Sequence, residues 1–300
     1  MFSFQKNFWI WLVKSMDDFA ALILTHGRPD RIYTYATLRA HGYTGRIVIV
    51  IDDEDKTAAE YIEKFGDQVE VFSKSEIAMT FDEADNFNDR RAIIYARNAS
   101  FEIARRVGVR YFIQLDDDYT RFSYRFDKDA RYDDKATRRL DDVFAAMLRY
   151  LKATPFASIA MAQGGDHLGG GAGTYAKTIG TKRKAMNTFF CDTEKPFQFH
   201  GRINEDVNTY TAQQRAGLPF LTVLGFSVLQ KTTQSNAGGM TELYLDAGTH
   251  IKTFYSVMMA PSCVKEYAMG EKHKRIHHKV DWKAAAPQII REHHRKPRYS

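Results

Sequence analysis

Three consecutive carboxylates are the residues of this sequence whose chemistry is most specific. Asp116, Asp117 and Asp118 follow directly on the largely apolar run at residues 111–115. Carboxylates this close repel one another unless a cation or hydrogen-bond donors lie among them. Their oxygens suit a hard divalent ion, which can also bridge the oxygens of a diphosphate. The run therefore predicts a metal and nucleotide site; the alternative is a solvated acidic turn or a helix N-terminus.

Alternating strand and helix patterns must position these carboxylates. Short apolar runs typical of buried strands occupy residues 20–25, 46–51, 68–72, 111–115 and 157–161. Helical patterns occupy residues 31–41, 56–65, 90–107 and 140–151, and a late strand is expected at 218–229. This alternation predicts an α/β fold with a mainly parallel sheet flanked by helices, forming a single domain with a C-terminal extension.

Polar groups stand at the ends of three predicted strands. Thr25 and Arg28 follow the first strand, Asp52 follows the second, and the aspartate run follows the fourth. In parallel α/β sheets, ligands bind beyond the carboxyl ends of the strands. We therefore expect these side chains to converge on one crevice.

The segment before the aspartates carries a family resemblance. Residues 95–99 read Tyr-Ala-Arg-Asn-Ala on a predicted helix, and Gly108 then leads into the strand that ends at Asp116–Asp118. This order resembles the signature of GT-A glycosyltransferases, in which such a helix precedes the strand ending in a DxD motif. The resemblance covers about residues 20–230 and implies a Rossmann-like GT-A fold and a metal-dependent glycosyltransferase.

The resemblance also implies roles for individual side chains. The donor is expected to be a nucleotide-sugar, in particular a UDP-sugar, and the metal Mn²⁺ or Mg²⁺. By position, Thr25, Arg28 and Asp52 would line the nucleoside pocket, Arg97 would lie near the diphosphate or nucleoside, Asp116 and Asp117 would face the ribose and sugar, and Asp118, with Asp116, would ligate the metal.

A second acidic pair, Glu205 and Asp206, opens a predicted helix. Many GT-A enzymes carry a Glu-Asp pair here, and a carboxylate at the acceptor hydroxyl can act as general base. Acidic residues at a helix N-terminus also stabilise the helix by about 0.3–1 kcal/mol each. We assign catalysis to Asp206 and positioning to Glu205, and the reverse assignment stays open.

Histidines late in the chain are candidate metal ligands, because GT-A enzymes often supply one to the metal. His277 and His278 lie in residues 275–280, which read as a strand, so the two rings should point to opposite faces. At most one of them would then reach the metal, and the alternative is that both are surface residues.

Excess positive charge lies at the C-terminal end. The net charge is +6, and the last forty residues alone hold ten Lys/Arg against four Asp/Glu. A basic segment suggests a polyanionic partner, and the alternative is a solvated surface. Lys182, Arg183 and Lys184 form a second basic cluster that could bind nucleic acid.

Compartment and membrane signals are few. Two cysteines imply no disulfide framework, which favours a reducing, cytoplasmic setting. No run approaches the roughly 20 apolar residues of a membrane span, so no membrane partner is expected. The short apolar run at residues 8–13 is interpreted as a docking helix, and no protein partner is predicted.

Several later segments resemble a narrower group, the TET-associated glycosyltransferases of phages. They are residues 163–166, 184–187, 199–201 with 204–207, and the Lys/His-rich end before Trp282. That resemblance implies transfer of a sugar to a hydroxymethylated pyrimidine in phage DNA, in the cytoplasm of the infected host. The alternatives are a glycosyltransferase acting on a glycan or small molecule, and an inactive GT-A scaffold that binds nucleic acid.

Four regions are expected along the chain. Residues 1–18 would be an N-terminal extension and 19–162 the nucleotide-sugar-binding half. Residues 163–260 would bind the acceptor, and 261–300 would form the basic C-terminal segment.

Overall fold

The computed structural model describes residues 16–83, 90–129, 131–163, 182–231, 250–269, 275–286 and 289–292. The predicted docking helix at 8–13 lies outside the described residues. Among the described helices, none is both long and apolar enough to cross a bilayer.

The elements alternate through the first half of the chain as the sequence predicts. The strands are β1 (Phe19–Leu24), β2 (Arg46–Asp52), β3 (Val69–Phe72), β4 (Tyr111–Asp116), β5 (Tyr119–Phe126), β6 (Tyr132–Ala136), β7 (Ser158–Gln163), β8 (Phe189–Asp192), β9 (Phe220–Gln230), β10 (Val264–Met269) and β11 (Arg275–Val280). The helices are α1 (Tyr33–Ala40), α2 (Ala58–Phe65), α3 (Lys74–Ala78), α4 (Ile94–Arg106), α5 (Leu140–Ala153), α6 (Glu205–Arg215), α7 (Ile251–Met259) and α8 (Trp282–Ala285).

Nine of the described strands form one central sheet in the order β3-β2-β1-β4-β8-β7-β9-β5-β6. The four strands β3, β2, β1 and β4 are parallel throughout. Beyond them β8 runs antiparallel to both β4 and β7, and β9 pairs parallel with β7 and antiparallel with β5. The predicted α/β class, with helices flanking the sheet, is confirmed, and the antiparallel strands β5, β6 and β8 are additions that the sequence reading missed.

Side chains of β1 show why the centre of the sheet is apolar on both faces. Phe19, Ala21 and Ile23 enter a core cluster shared with α1, α2 and α5. Ala20, Leu22 and Leu24 enter a second cluster shared with α3, α4 and α6. Every residue of β1 is at most 3% exposed. A strand covered by helices on both sides reads as a continuous apolar run, which is the pattern that predicted it.

The C-terminal hairpin β10–β11 is a separate two-stranded sheet. It packs on α7, where Val264, Val280 and Val257 belong to one apolar cluster. The strand expected at 275–280 is confirmed, but the expected separation of His277 and His278 is wrong, because their ring centroids are 4.5 Å apart. The Nδ1 atom of His277 lies 2.9 Å from the carbonyl oxygen of His278, and this hydrogen bond turns the His277 ring back towards its neighbour.

Candidate active site at the carboxyl edge of the sheet

Asp117 joins the ends of β4 and β1. Its Oδ2 atom accepts a 2.7 Å hydrogen bond from the Thr25 hydroxyl and lies 3.4 Å from Nε of Arg28. The Asp117 residue is only 4% exposed. The structure therefore brings together three of the side chains that the sequence assigned to one crevice.

Tyr61 of α2 also contacts Thr25 and Arg28, and the sequence did not predict it as a site residue. Its hydroxyl lies 3.0 Å from the Thr25 hydroxyl oxygen and accepts a 2.8 Å hydrogen bond from the backbone N–H of Arg28. Burial, the largest effect, raises the pKa of Tyr61 to about 12, so its phenol stays protonated at neutral pH. Tyr61 thus fixes the turn after β1.

Asp52 ends β2 between a histidine and a lysine. His26 Nδ1 is 2.8 Å from one Asp52 oxygen, and Nζ of the buried Lys74 is 3.0 Å from the other. Burial acts to raise the pKa of Asp52, but the hydrogen bonds from His26 and Lys74 outweigh burial and lower it. Asp52 is therefore held as a carboxylate at the expected nucleoside end of the crevice.

Asp116 points to the other side of β4, towards Arg97 of α4. The Nη2 atom of Arg97 lies 3.0 Å from Oδ1 of Asp116, and its Nε lies 2.9 Å from Oε1 of Glu205. Burial, the largest effect, raises the pKa of Asp116 to about 7 despite this cation. Arg97 is 1% exposed, so its guanidinium bridges two carboxylates inside the protein and presents little surface to a ligand.

Asp118 has the least satisfied carboxylate of the three. Its Oδ1 atom is buried and has no hydrogen-bond partner. Burial, followed by the charge of Asp117, raises the pKa of Asp118 to about 6. A buried carboxylate oxygen without a donor is costly, so this atom is where a bound cation would contribute most.

Lys231, at the end of β9, lies beside Asp118 and was not identified from the sequence. Its backbone N–H donates a 3.2 Å hydrogen bond to the carbonyl oxygen of Asp118. Its ammonium stands 3.5 Å from the centre of the Tyr33 ring, a cation–π contact that holds the charge in place. Among the described side chains, no carboxylate lies within 4.0 Å of this ammonium.

The N-terminus of α1 shapes the aspartate loop. Thr34 donates its backbone N–H to the Asp117 carbonyl at 3.1 Å and its hydroxyl to the Asp116 carbonyl at 2.5 Å. The same hydroxyl oxygen accepts the backbone N–H of Tyr119 at 2.9 Å. The partial positive charge of this helix end therefore lies beside the acidic run, where it favours anions.

Glu205 and Asp206 open α6 and differ in their partners. The Glu205 carboxylate is engaged by Arg97, while Asp206 is 6% exposed and accepts only the N–H of Val207 among the hydrogen bonds of the described residues. Burial, then the charge of Glu205, raises the pKa of Asp206 to about 7, and Lys184 acts in the opposite direction. Asp206 is therefore poised to exchange a proton near neutral pH.

The backbone before α6 explains why this pair is held so closely. Gly201 has φ +73°, and a Cβ there would lie 2.7 Å from Nδ2 of Asn208. Asn204 is left-handed with φ 54°, and its amide donates to the Lys252 carbonyl at 2.8 Å and to the Ser256 hydroxyl at 3.0 Å. These contacts tie the start of α6 to α7.

Residues 19–239 match the model of the TET-Associated Glycosyltransferase family. The chain belongs to this family. The resemblance seen in the sequence is thus confirmed, and the protein is a member of a glycosyltransferase family whose acidic motif lies at the carboxyl edge of the sheet.

Solved structures match the chain only at low sequence identity. Glucosyl-3-phosphoglycerate synthase from Mycobacterium tuberculosis in complex with Mg²⁺ and uridine diphosphate is 9% identical, with a TM-score of 0.44, covering 90% of this chain and 91% of that chain. The same enzyme with Mn²⁺ and UDP-glucose is 9% identical, with a TM-score of 0.45 and 90% of each chain covered. No curated protein matches the chain.

The late histidines, His277 and His278, lie on β11. Burial, then the charges of His277, Lys184 and Lys252, lowers the pKa of His278 to about 4, so its ring is neutral at pH 7. Lys184 also acts on Asp206, which places His278 and Asp206 around one lysine. Among the described residues, no group of three His, Cys, Asp or Glu side chains is assembled to hold a metal.

The predicted nucleic-acid cluster is divided by burial. Lys182 is exposed, Lys184 is half-buried, and Arg183 is 4% exposed. Of the three, only Lys182 offers its full side chain to a phosphate from solvent in this conformation.

Proposed function

We propose that this protein transfers a sugar from a UDP-sugar to a hydroxymethylated pyrimidine base in DNA, with Mn²⁺ or Mg²⁺ bound at Asp118. The observation that carries the proposal is the unpartnered, buried Oδ1 atom of Asp118 at the end of β4. Membership of the TET-associated family supports DNA as the acceptor.

The residues present fit a metal site whose remaining ligands would come from the phosphates of the donor. Mg²⁺ in nucleotide sites is held by one or two carboxylates together with substrate phosphates and water, so a closed protein cage is not required. Asp118 would be the first ligand and Asp116 the second, and His277 and His278 remain predicted ligands. When bound, the metal supplies a positive charge that stabilises the departing diphosphate.

Donor binding is assigned to the two groups at the ends of β1 and β2. Asp52, held ionised by His26 and Lys74, offers acceptor oxygens to the N–H of a nucleobase. Thr25 and Arg28 lie beside the ribose, with Asp117 fixing both side chains. Arg97 is given a positioning role, because its buried guanidinium is already engaged by Asp116 and Glu205.

Lys231 is assigned to the leaving diphosphate. Its ammonium is held over Tyr33 and its backbone is bonded to Asp118. Burial raises the pKa of that carboxyl, and the charge of Lys231 opposes the rise. A cation fixed where negative charge develops lowers the barrier without reorganisation during the reaction. The N-terminus of α1 contributes further positive potential at the same point.

Asp206 is assigned as the general base. Glu205 is committed to Arg97, which leaves Asp206 as the carboxylate able to accept the proton of the attacking hydroxymethyl group. Its raised pKa suits proton transfer near pH 7. The target base would have to leave the stack to reach it, as bases do in other enzymes that modify DNA.

The test is release of UDP from UDP-sugars in the presence of Mn²⁺, with different acceptors added. Hydroxymethylated DNA should accelerate release well above the rate without acceptor, and unmodified DNA of the same sequence should not. Acceleration by a glycan or small alcohol instead would favour the alternative acceptor. No release under any condition would indicate an inactive scaffold.

A further inference from the structure

The β10–β11 hairpin carries a basic and aromatic face that the proposed mechanism does not use. Lys265 pairs with Lys279 across the two strands, and Tyr267 pairs with His277. Side chains at alternate positions of a strand share one face, so Lys265, Tyr267 and Lys279 lie on the same side of the hairpin, while the His277 ring turns back towards His278. We call Lys265, Tyr267 and Lys279 the hairpin face.

Solvent reaches this face. Tyr267 is 50% exposed, Lys265 and Lys279 are exposed, and the Lys279 ammonium lies 5.5 Å from the centre of the Tyr267 ring. The opposite face is the one covered by α7, through Val264 and Val280.

Charge on the hairpin face is of one sign. Within the described strand residues 264–268 and 276–280, the single carboxylate is Glu266, and it pairs with His278 on the other face. A phosphate backbone complements two lysines on one face, and an unpaired base complements an exposed aromatic ring.

The hairpin is also connected, through α7, to the start of α6, where the proposed general base Asp206 lies. Asn204, directly before α6, donates hydrogen bonds to the Lys252 carbonyl and the Ser256 hydroxyl of α7, and the Thr253 hydroxyl of α7 donates one to the Ile276 carbonyl of β11 at 3.3 Å. A strand of DNA whose target base reached Asp206 would therefore lie close to the hairpin.

We propose that the hairpin face binds single-stranded or locally opened DNA beside the target nucleotide, with Lys265 and Lys279 on phosphates and Tyr267 stacked on an unpaired base. This proposal rests on the proposed function, because DNA is the acceptor proposed there. It extends that function by naming the element that binds the DNA strand and the form of DNA that this element prefers.

The experiment measures binding of a fluorescent single-stranded oligonucleotide of about 12 nucleotides by anisotropy at several salt concentrations. The variant Lys265→Ala/Lys279→Ala is compared with Lys128→Ala/Lys135→Ala, which removes two exposed lysines from the β5–β6 hairpin instead. We expect the first variant to flatten the slope of log K against log salt by about 1.4, at about 0.7 per phosphate, and the control to match wild type.

Tyr267 is tested in the same assay. Tyr267→Ala should weaken binding by about 5- to 150-fold, the range for loss of one stacked base, while Tyr267→Phe should bind as wild type does. Thermal unfolding of each variant verifies that the hairpin is intact. Unchanged affinity in both Tyr267→Ala and the lysine variant would overturn the proposal.

Hydrolysis of UDP-sugar by the wild-type protein, measured without DNA, separates this proposal from the proposed function. If wild type hydrolyses the donor but binds no single-stranded DNA, the hairpin proposal is wrong and the donor site stands. If it binds DNA through the hairpin face but never releases UDP, the hairpin proposal holds and the transferase activity fails.

Discussion

Neighbouring carboxylates of one short run have different partners, and those partners decide what each can do. Asp117 accepts a hydrogen bond from Thr25 and is paired with Arg28, and Asp116 is paired with Arg97. Asp118 keeps a buried oxygen without a donor. Of the three, Asp118 is therefore the residue whose loss should affect the metal and spare the fold.

Replacing Asp118 by alanine should abolish sugar transfer and weaken Mn²⁺ binding in the presence of UDP. The melting temperature should stay the same or rise, because the change removes an unsatisfied buried group. Calorimetric titration with Mn²⁺ and thermal unfolding measure the two effects. Asp30→Ala, at an exposed carboxylate, is the control, and wild-type metal affinity in the Asp118 variant would sink the assignment.

Asp206 should give the pH dependence of kcat. A base acts only when deprotonated, so with a pKa raised to about 7 the rate should climb as pH increases through 7 and then level off. Asp206→Asn should bind UDP-sugar normally and lose turnover. Kinetics from pH 5.5 to 8.5 measure this rise of kcat with pH, and Glu205→Gln is the comparison. Normal turnover in Asp206→Asn with loss in Glu205→Gln would reverse the two roles.

Lys231 should contribute to the departure of the diphosphate. Lys231→Ala should lower kcat by about 10²- to 10³-fold, the size seen when one stabilising donor is removed elsewhere. Lys231→Arg should retain much of the rate, because it keeps the charge over Tyr33. Lys182→Ala, an exposed lysine in another loop, should leave the melting temperature and kcat for donor hydrolysis unchanged, and an unaffected kcat in Lys231→Ala would contradict the role.

Site residues were predictable from the sequence where they directly follow a recognisable strand. Thr25, Arg28, Asp52 and Asp116–Asp118 all follow apolar strand runs, and the sheet brings those ends together. Tyr61, Lys74 and Lys231 were not predictable in this way, because each lies on an element whose approach to the crevice is set by packing. Only the folded chain reveals their contacts with Thr25, Asp52 and Asp118.

At the scale of elements, α4 connects the two ends of the site. Its Arg97 joins Asp116 of β4 to Glu205 of α6 and is packed 5.4 Å from the centre of the Phe189 ring of β8. The helix therefore fixes the distance between Asp116, a proposed metal ligand, and the start of α6, where the proposed base lies.

Arg97→Gln should destabilise the protein by about 3–5 kcal/mol, because it leaves two largely buried carboxylates without their cation. Arg97→Lys should keep the charge but lose the two-armed geometry, so it should recover part of the stability and less of the activity. Urea unfolding and donor kinetics measure these effects. Arg106→Gln, at an exposed arginine of the same helix, is the control; equal stability of the Arg97→Gln and Arg106→Gln variants would contradict the bridging role.

Element prediction succeeded where period and length were ordinary and failed elsewhere. Strand β5 begins one residue after Asp118, where an acidic run predicts a turn, and its arginines at 121 and 125 obscure the alternation. Strand β8 has four residues, too few for a period to show. The histidine pair of β11 departs from alternation because a local hydrogen bond reorients one ring.

On the scale of the whole molecule, the sheet changes character at β4. Parallel strands on one side carry the expected donor residues, and the mixed strands on the other lead to α6 and the proposed base. The sequence predicts a boundary between two regions at residue 163. Because β7 pairs with β9, the sheet continues across this boundary. The four predicted regions stay a prediction about function, within one continuous sheet.

The central claim is that a sugar from a UDP-sugar is attached to a modified base in DNA by this site. The direct measurement is mass spectrometry of nucleosides from hydroxymethylated DNA incubated with the protein, Mn²⁺ and a panel of UDP-sugars. We predict one sugar added to the hydroxymethylated pyrimidine, with none added by Asp206→Asn or when a chelator is present. Unmodified nucleosides across the whole panel, from protein that binds both UDP-sugar and DNA, would contradict the account.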